Sequence, residues 1–462
     1  RAGRRLKWAA AALAASVALL FGYVSKVAAQ DATPRPAAAL HASERSIGFG
    51  RLLDTIVETV ERDFHDKNLL REVDWRARLA ASRAEIVGAE TLADAAARIN
   101  ALLAELKTSH TAFYTPDEVE YYILLDIVGA AGSADLLATR FWGSGPSYPG
   151  IGAFTTRLGT RHFVDAVLEG SPADRAGLRF GDEVVSVDGA LYSPVAAFRG
   201  KVGLSVALRV RRQQDAAPDM LHLTVAMISP KRAFTEATRA SARIIERGGR
   251  RIGYMHVWAS IDSAAFRDAL VGLNPGLTFE QSGARGEWRQ AGNARGRPRD
   301  SNGPADVLDA LIIDARGKVG GLSSVPGEYL ELIDPSPRRI RMTTAKSHGG
   351  ERSRERVSFK GRSALLIDRK TRSAAEIFAH AYKRDALGPV IGTTTAGAVT
   401  AGRGYIMPGD TYLYLAITGL ALDGERLEGK GVAPDISVER PLPYAGGADP
   451  VLEAAVKQLV AN

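Results

Sequence analysis

The 462-residue chain contains no cysteine, which excludes disulfides, thiol nucleophiles and Cys-based metal sites together. Histidine is scarce, at eight residues, so few rings are available to act as a base. Excess charge is small: 60 basic side chains stand against 52 acidic ones, a net +8. Much of that surplus sits in Arg1, Arg4, Arg5 and Lys7 and in an Arg-rich 285–299 stretch. It reads as targeting and loop chemistry, with no nucleic-acid partner expected.

Hydrophobic residues make up 45% of the chain, ample for packed cores, and the length suggests about three domains. Residues 1–29 combine a basic start, an apolar run from Trp8 to Val24 and a Val27-Ala28-Ala29 site before Gln30, the pattern of a signal peptide. The run is also nearly long enough to span a bilayer, so an uncleaved membrane anchor is the second reading. Either one exports the remainder, to the periplasm or beyond the cell. Residues 30–46, with Pro34 and Pro36 among alanines, read as a flexible linker.

Residues 47–146 begin with helical periodicity. Leu52, Leu53, Ile56, Val57 and Val60 recur at three- and four-residue steps, as do Leu92, Ala96, Ile99, Leu102, Leu103 and Leu106. Thr91, three residues before Asp94, is placed to cap the second run. Lys107-Thr108-Ser109-His110-Thr111 then leaves the helix and enters an alternating, strand-like segment.

Residues 147–230 carry Gly150-Ile151-Gly152-Ala153-Phe154, then Ser171-Pro172-Ala173-Asp174-Arg175-Ala176-Gly177-Leu178, then Gly181-Asp182-Glu183-Val184 and Val187-Asp188-Gly189. Pro172 suits a first helical turn and Gly177 its end. This succession resembles a PDZ domain over about 80 residues, closed by strands at Val206–Val210 and Leu221–Ala226. The resemblance implies a peptide-binding strand at Ile151, Gly152, Ala153 and Phe154, onto which a protein tail adds by main-chain hydrogen bonds.

In residues 231–462 a helix-like stretch, Thr235 to Ile245, precedes a short strand containing His256, a second candidate base. Residues 274–303 are rich in Gly, Arg, Gln and Asn without apolar period and read as a mobile surface insertion. Val307 to Asp314 reads as a helix end feeding a buried strand that stops at Asp314-Ala315-Arg316-Gly317-Lys318-Val319-Gly320-Gly321. A further buried strand, Ala364 to Ile367, leads to Thr371-Arg372-Ser373-Ala374-Ala375-Glu376 at a helix start. Ser373 there suits either of two roles, helix N-cap or nucleophile at the carboxyl edge of an α/β sheet. The last motif is Glu428-Gly429-Lys430-Gly431-Val432-Ala433-Pro434-Asp435.

Taken in order, these motifs resemble the C-terminal-processing (tail-specific) and tricorn-core serine proteases, and the tricorn-like Ser-His branch more than the Ser-Lys branch. The fold implied is multi-domain α/β: an N-terminal helical segment, a β-rich PDZ domain and an α/β crotonase-like protease core. The resemblance makes Ser373 the nucleophile, His110 its general base, and Ser109 and Glu428 the groups that orient His110. It assigns the oxyanion to the amides of Gly320 or Gly321 and of Ala374, and it implies protein or peptide substrates with no metal or cofactor. Two positions depart from the pattern. Ala398 stands where the tail-specific branch has its basic Lys, and Lys318 replaces an Asn. Both departures favour a second reading, an inactive peptide-binding scaffold. His256 falls on a strand that is structural in the family.

Overall fold

The structure, a computed structural model, describes residues 48–461 apart from 132–136, 138–139, 142–144, 275–278, 283–286, 291–307, 318, 335–339, 344–358 and 360. The expected signal or anchor, the linker, Lys318 and most of the 274–303 insertion lie outside the described residues. Among the described residues, no helix is long and apolar enough to cross a membrane.

The N-terminal helices follow the periodicity. Phe49–Asp63, Lys67–Glu72, Trp75–Val87 and Leu92–Ala104 are helical, and the Thr91 hydroxyl accepts the Asp94 amide at 3.1 Å. Their buried faces, including Leu52, Ile56, Ile99 and Leu103, pack on Phe113, Leu413 and Leu415. These last three belong to a sheet in which Ala112–Tyr114 pairs with Thr411–Thr418, which pairs in turn with Ala401–Met407. Residues just after His110 are thereby tied to a strand that lies beyond the Ser373 region in sequence.

In the PDZ-like region an antiparallel sheet has Ala153–Leu158 at one edge, followed by Arg161–Val167, Glu183–Val187, Ser205–Arg211 and Asp219–Thr224. Gly152 has φ +78°, and a Cβ there would lie 2.3 Å from Cβ of Ser171, so only glycine fits this close approach. Ser171 caps the short Pro172–Arg175 helix by accepting the Asp174 amide.

The core sheet runs Arg243–Arg247, Arg250–His256, Ala310–Asp314, Arg362–Ile367, Val390–Gly392 and Ile436–Ser437. Its first pair is antiparallel and the rest are parallel. All five residues of Ala310–Asp314 are buried, as a parallel strand covered on both faces requires. Two boundaries differ from the sequence reading. The helix spans Pro230–Ser241, and Arg243–Arg247 is a strand, because Gly248 and Gly249 (φ +60° and +71°) form the two-residue turn of a hairpin. Within the insertion, Phe279–Ser282 pairs with Glu287–Gln290.

Candidate active site

Ser373 sits where the Arg362–Ile367 strand has given way, through a short loop, to the Ala374–Arg384 helix. Its backbone, φ 56° and ψ −124°, is unusual for a residue with a side chain, and such strain concentrates at functional sites. Ser373 occupies the N-cap of that helix. The Ser373 amide donates to Glu376 Oε2 at 3.1 Å and to the Ala398 carbonyl at 2.9 Å. Ser373 and Glu376 thus form a capping box, and Ser373 keeps the capping role that is one of the two open to it.

Glu376 was missed as a site residue, although Ser-x-x-Glu before a helix is a capping-box signal. Fully buried, its carboxylate also accepts from Thr395 Oγ1 (2.6 Å), Gly397 N (2.7 Å) and Ala398 N (2.7 Å). One acid therefore fixes both the Ser373 backbone and the loop running from Thr395 to Thr400.

The far side of that loop is held by Glu428. Its Oε2 accepts the amides of Val399 (2.9 Å) and Thr400 (3.0 Å) and the Ser109 hydroxyl (3.0 Å), and its Oε1 accepts the Ser109 amide (2.8 Å). Burial opposes ionisation of Glu428, but the bonds from Thr400 and Ser109 prevail and hold the carboxyl below its usual range. Ser109 Oγ lies 2.9 Å from His110 Nδ1. A hydroxyl has one proton, and here it goes to a carboxylate that can only accept. Ser109 must then accept from His110 Nδ1–H, which leaves Nε2 unprotonated as the basic nitrogen.

His110, at φ 56°, packs its ring 5.2 Å from that of Tyr414. Burial, then the positive charge of Arg372, push its pKa down to about 4 against the opposing pull of Glu428. Arg372, exposed and adjacent to Ser373, was also missed, since nothing in its spacing ties it to an imidazole 262 positions earlier. Among the described residues no hydrogen bond joins Ser373 Oγ to His110. Their regions meet through the Thr395–Thr400 loop.

Gly320 lies against Ser373. A Cβ there would be 2.5 Å from Ser373 Cβ and 2.9 Å from the Arg372 carbonyl. Gly321, at φ +133°, is pressed on Ser260, whose amide donates to the Gly320 carbonyl at 2.7 Å. The Ala374 amide is at the first helical position, ahead of the intrahelical ladder. Gly320→Ala is expected to displace Ser373 and lower kcat by about 10²–10³, the scale of a lost oxyanion donor, as steady-state kinetics on an unfolded substrate would read.

The remaining predicted residues lie elsewhere. His256 faces Glu169 (Nδ1 to Oε1, 3.3 Å) and the Arg316 carbonyl (Nε2, 2.8 Å), a setting apart from Ser373 and in keeping with a structural role. Asp314 is clasped by Arg316 through Nε at 2.9 Å. Ile151 is buried in the PDZ-like core, and Phe154 stacks on Phe234 with centroids 6.1 Å apart. Ala153 and Phe154 open the edge strand. Asp435 takes the Val390 amide (2.9 Å) and pairs with Lys383 (2.9 Å), a structural clamp. Among the described residues no group of three or more His, Asp or Glu side chains is placed to hold a metal.

A PDZ domain model matches residues 163–212, and the model of Peptidase family S41 matches residues 300–438. Carboxy-terminal processing protease CtpA of Bacillus subtilis is 26% identical over 315 residues, 64% of this chain and 58% of that protein. Putative tricorn protease homolog 2 of Streptomyces coelicolor is 27% identical over 312 residues, 62% of this chain and 22% of that protein. Among solved structures, photosystem II D1 C-terminal processing protease covers 90% of this chain and 98% of its own, at 19% identity and a TM-score of 0.49. The chain spans less than two thirds of the length of the curated relatives it matches.

Proposed function

We propose that this PDZ-bearing homologue of carboxy-terminal processing and tricorn-like proteases is an exported serine endopeptidase that cleaves unfolded or tail-presented proteins. The observation that carries this reading is the relay from Glu428 through Ser109 to His110 Nδ1, coupled by one loop to the strained Ser373. In the proposed mechanism Ser373 Oγ attacks the scissile carbonyl while His110 Nε2 takes its proton. The imidazolium formed is stabilised by Ser109 and Glu428, and it then protonates the leaving amine. The Gly320 or Gly321 amide and the Ala374 amide receive the oxyanion. Substrate binding is proposed to draw Oγ and Nε2 into hydrogen-bond reach, since catalytic contacts in empty sites are often long. Tails dock on the edge strand that starts at Ala153. Export rests on the basic start and apolar run of residues 1–29.

A fluorophosphonate probe tests the reading. Labelling is expected at Ser373, lost in Ser373→Ala and strongly slowed in His110→Ala. The second reading, a peptide-binding scaffold, draws on Ala398 and on the absence of a Ser373–His110 hydrogen bond among the described residues. It is the correct one if wild type resists the probe while still binding peptide tails, and activity gained on Ala398→Lys would then mark a disabled member of the lysine branch.

The pH dependence follows from His110. The base works only when neutral, hence above its pKa, so the acid limb of kcat/KM is expected near pH 4 instead of near 6.5. Arg372→Gln removes the one charge that adds to burial in lowering this pKa, so the limb is expected to move to higher pH. A limb that stays in place in this variant separates Arg372 from the base.

A further inference from the structure

A cavity of about 730 Å³ lies between the PDZ-like sheet and the core, away from Ser373 and His110. Its volume is within the usual range of small-molecule sites. The acids in its wall already have cationic or N–H partners. Asp165 takes the Lys370 amine, which also donates to Thr156 Oγ1 at 2.7 Å. Glu169 takes the Trp258 indole N–H at 2.6 Å and faces His256. Asp314 and Asp449 share Arg316, Asp368 accepts the amides of Lys370 and Thr371 at 2.9 and 2.8 Å, and Glu439 pairs with Arg369 at 2.9 Å.

Two wall cations are left without an acid of their own. Arg440 lies 3.7 Å over the Phe180 ring, bonds the Ala448 carbonyl at 3.2 Å, and shares Asp449 Oδ2, 3.5 Å away, with Arg316, which holds that oxygen more closely at 2.7 Å. Arg243 lies 3.8 Å over the Tyr254 ring and bonds the Ser241 carbonyl at 3.4 Å, with no carboxylate partner among the described residues. Burial, then repulsion from Arg316, lower the pKa of Arg440 against the opposing pull of Asp449 and Asp314. Phe180, Tyr254 and Trp258 supply aromatic surface beside these cations.

We propose that this cavity binds a small amphipathic carboxylate, with its head on Arg440 and Arg243 and its apolar body against Phe180 and Trp258. A guanidinium offers a planar fork that matches a carboxylate, and the aromatic wall rewards an apolar body that water would not. The site is independent of whether Ser373 is active.

Calorimetric titration of the full chain with 2-naphthoate is the test, with 2-naphthalenemethanol and 2-naphthylmethylamine as neutral and cationic counterparts. The acid is expected to bind at least tenfold more tightly than either. The Arg440→Gln/Arg243→Gln variant should lose at least tenfold in affinity for the acid alone, and Ser373→Ala should lose nothing. Leu158→Trp, which fills the rim from an exposed position, should weaken all three ligands and keeps the test decisive if the double variant misfolds. Equal affinity for acid and alcohol overturns the proposal, as does acid binding that is unchanged in the arginine variant or in Leu158→Trp.

Discussion

Ser373→Ala is expected to lower kcat/KM on an unfolded protein substrate by roughly 10⁶, the scale seen when a nucleophile that works as a unit with its base is removed. His110→Ala should approach the same loss, and the double variant should be no worse than the more damaging single one, because neither group has a role in attack without the other. Glu428→Gln should cost about 10⁴ at most, since it disturbs the tautomer of His110 while leaving the ring in place. Stability separates these effects from misfolding. Ser373→Ala removes at most one helix cap, about 1 kcal/mol, so it should melt close to wild type. Multiplicative losses in the double variant would mean that Ser373 and His110 act separately, and the relay would then not be the base system.

What the sequence made legible follows from how each signal is written. The buried parallel strands carry continuous apolar runs, Ala310–Ile313 and Ala364–Ile367, within the strands Ala310–Asp314 and Arg362–Ile367, so their positions could be read to within a few residues. The PDZ-like region was legible through glycines that nothing else can replace, Gly152 above all. Ser109, His110, Ser373 and Glu428 were picked out by resemblance and not by spacing, because contacts across 319 positions, as between Ser109 and Glu428, leave no local periodicity. The Arg243–Arg247 strand was hidden because Ala-Arg-Ile-Ile-Glu-Arg suits a helix equally well, and the Gly248-Gly249 turn decided it. Glu376 was legible only as a cap. That its second oxygen reaches Thr395 and Gly397 depends on the loop folding back over the helix, which is a tertiary event. Lys370 is a similar case: three residues before Ser373, it anchors its loop to Asp165 of the PDZ-like sheet, a tie between two regions that no motif announces.

The second large effect is expected at Glu376, and it should look different. Four donors converge on this one buried carboxylate: the amides of Ser373, Gly397 and Ala398 and the hydroxyl of Thr395. Burial pushes its carboxyl up while these bonds pull it down, so the side chain is retained at a desolvation cost for the loop it organises. Glu376→Ala leaves all four donors facing a cavity, and the loss should reach about 3–5 kcal/mol, the range for stripping one partner from a buried charged network. Glu376→Gln keeps one acceptor oxygen but turns an NH₂ group toward two donors, so it should fall between wild type and Ala. Thr395 relays the damage further, since its hydroxyl oxygen also accepts the Val432 amide at 2.7 Å. Thermal and urea unfolding read the stability loss, and probe labelling at a temperature where the variant remains folded reads the effect on Ser373. Activity and melting temperature should fall together in Glu376→Ala, whereas they part company in Ser373→Ala. If Glu376→Ala melts like wild type, the carboxylate is not what holds Ser373 and the Thr395–Thr400 loop in register, and another element must set the strained backbone of Ser373.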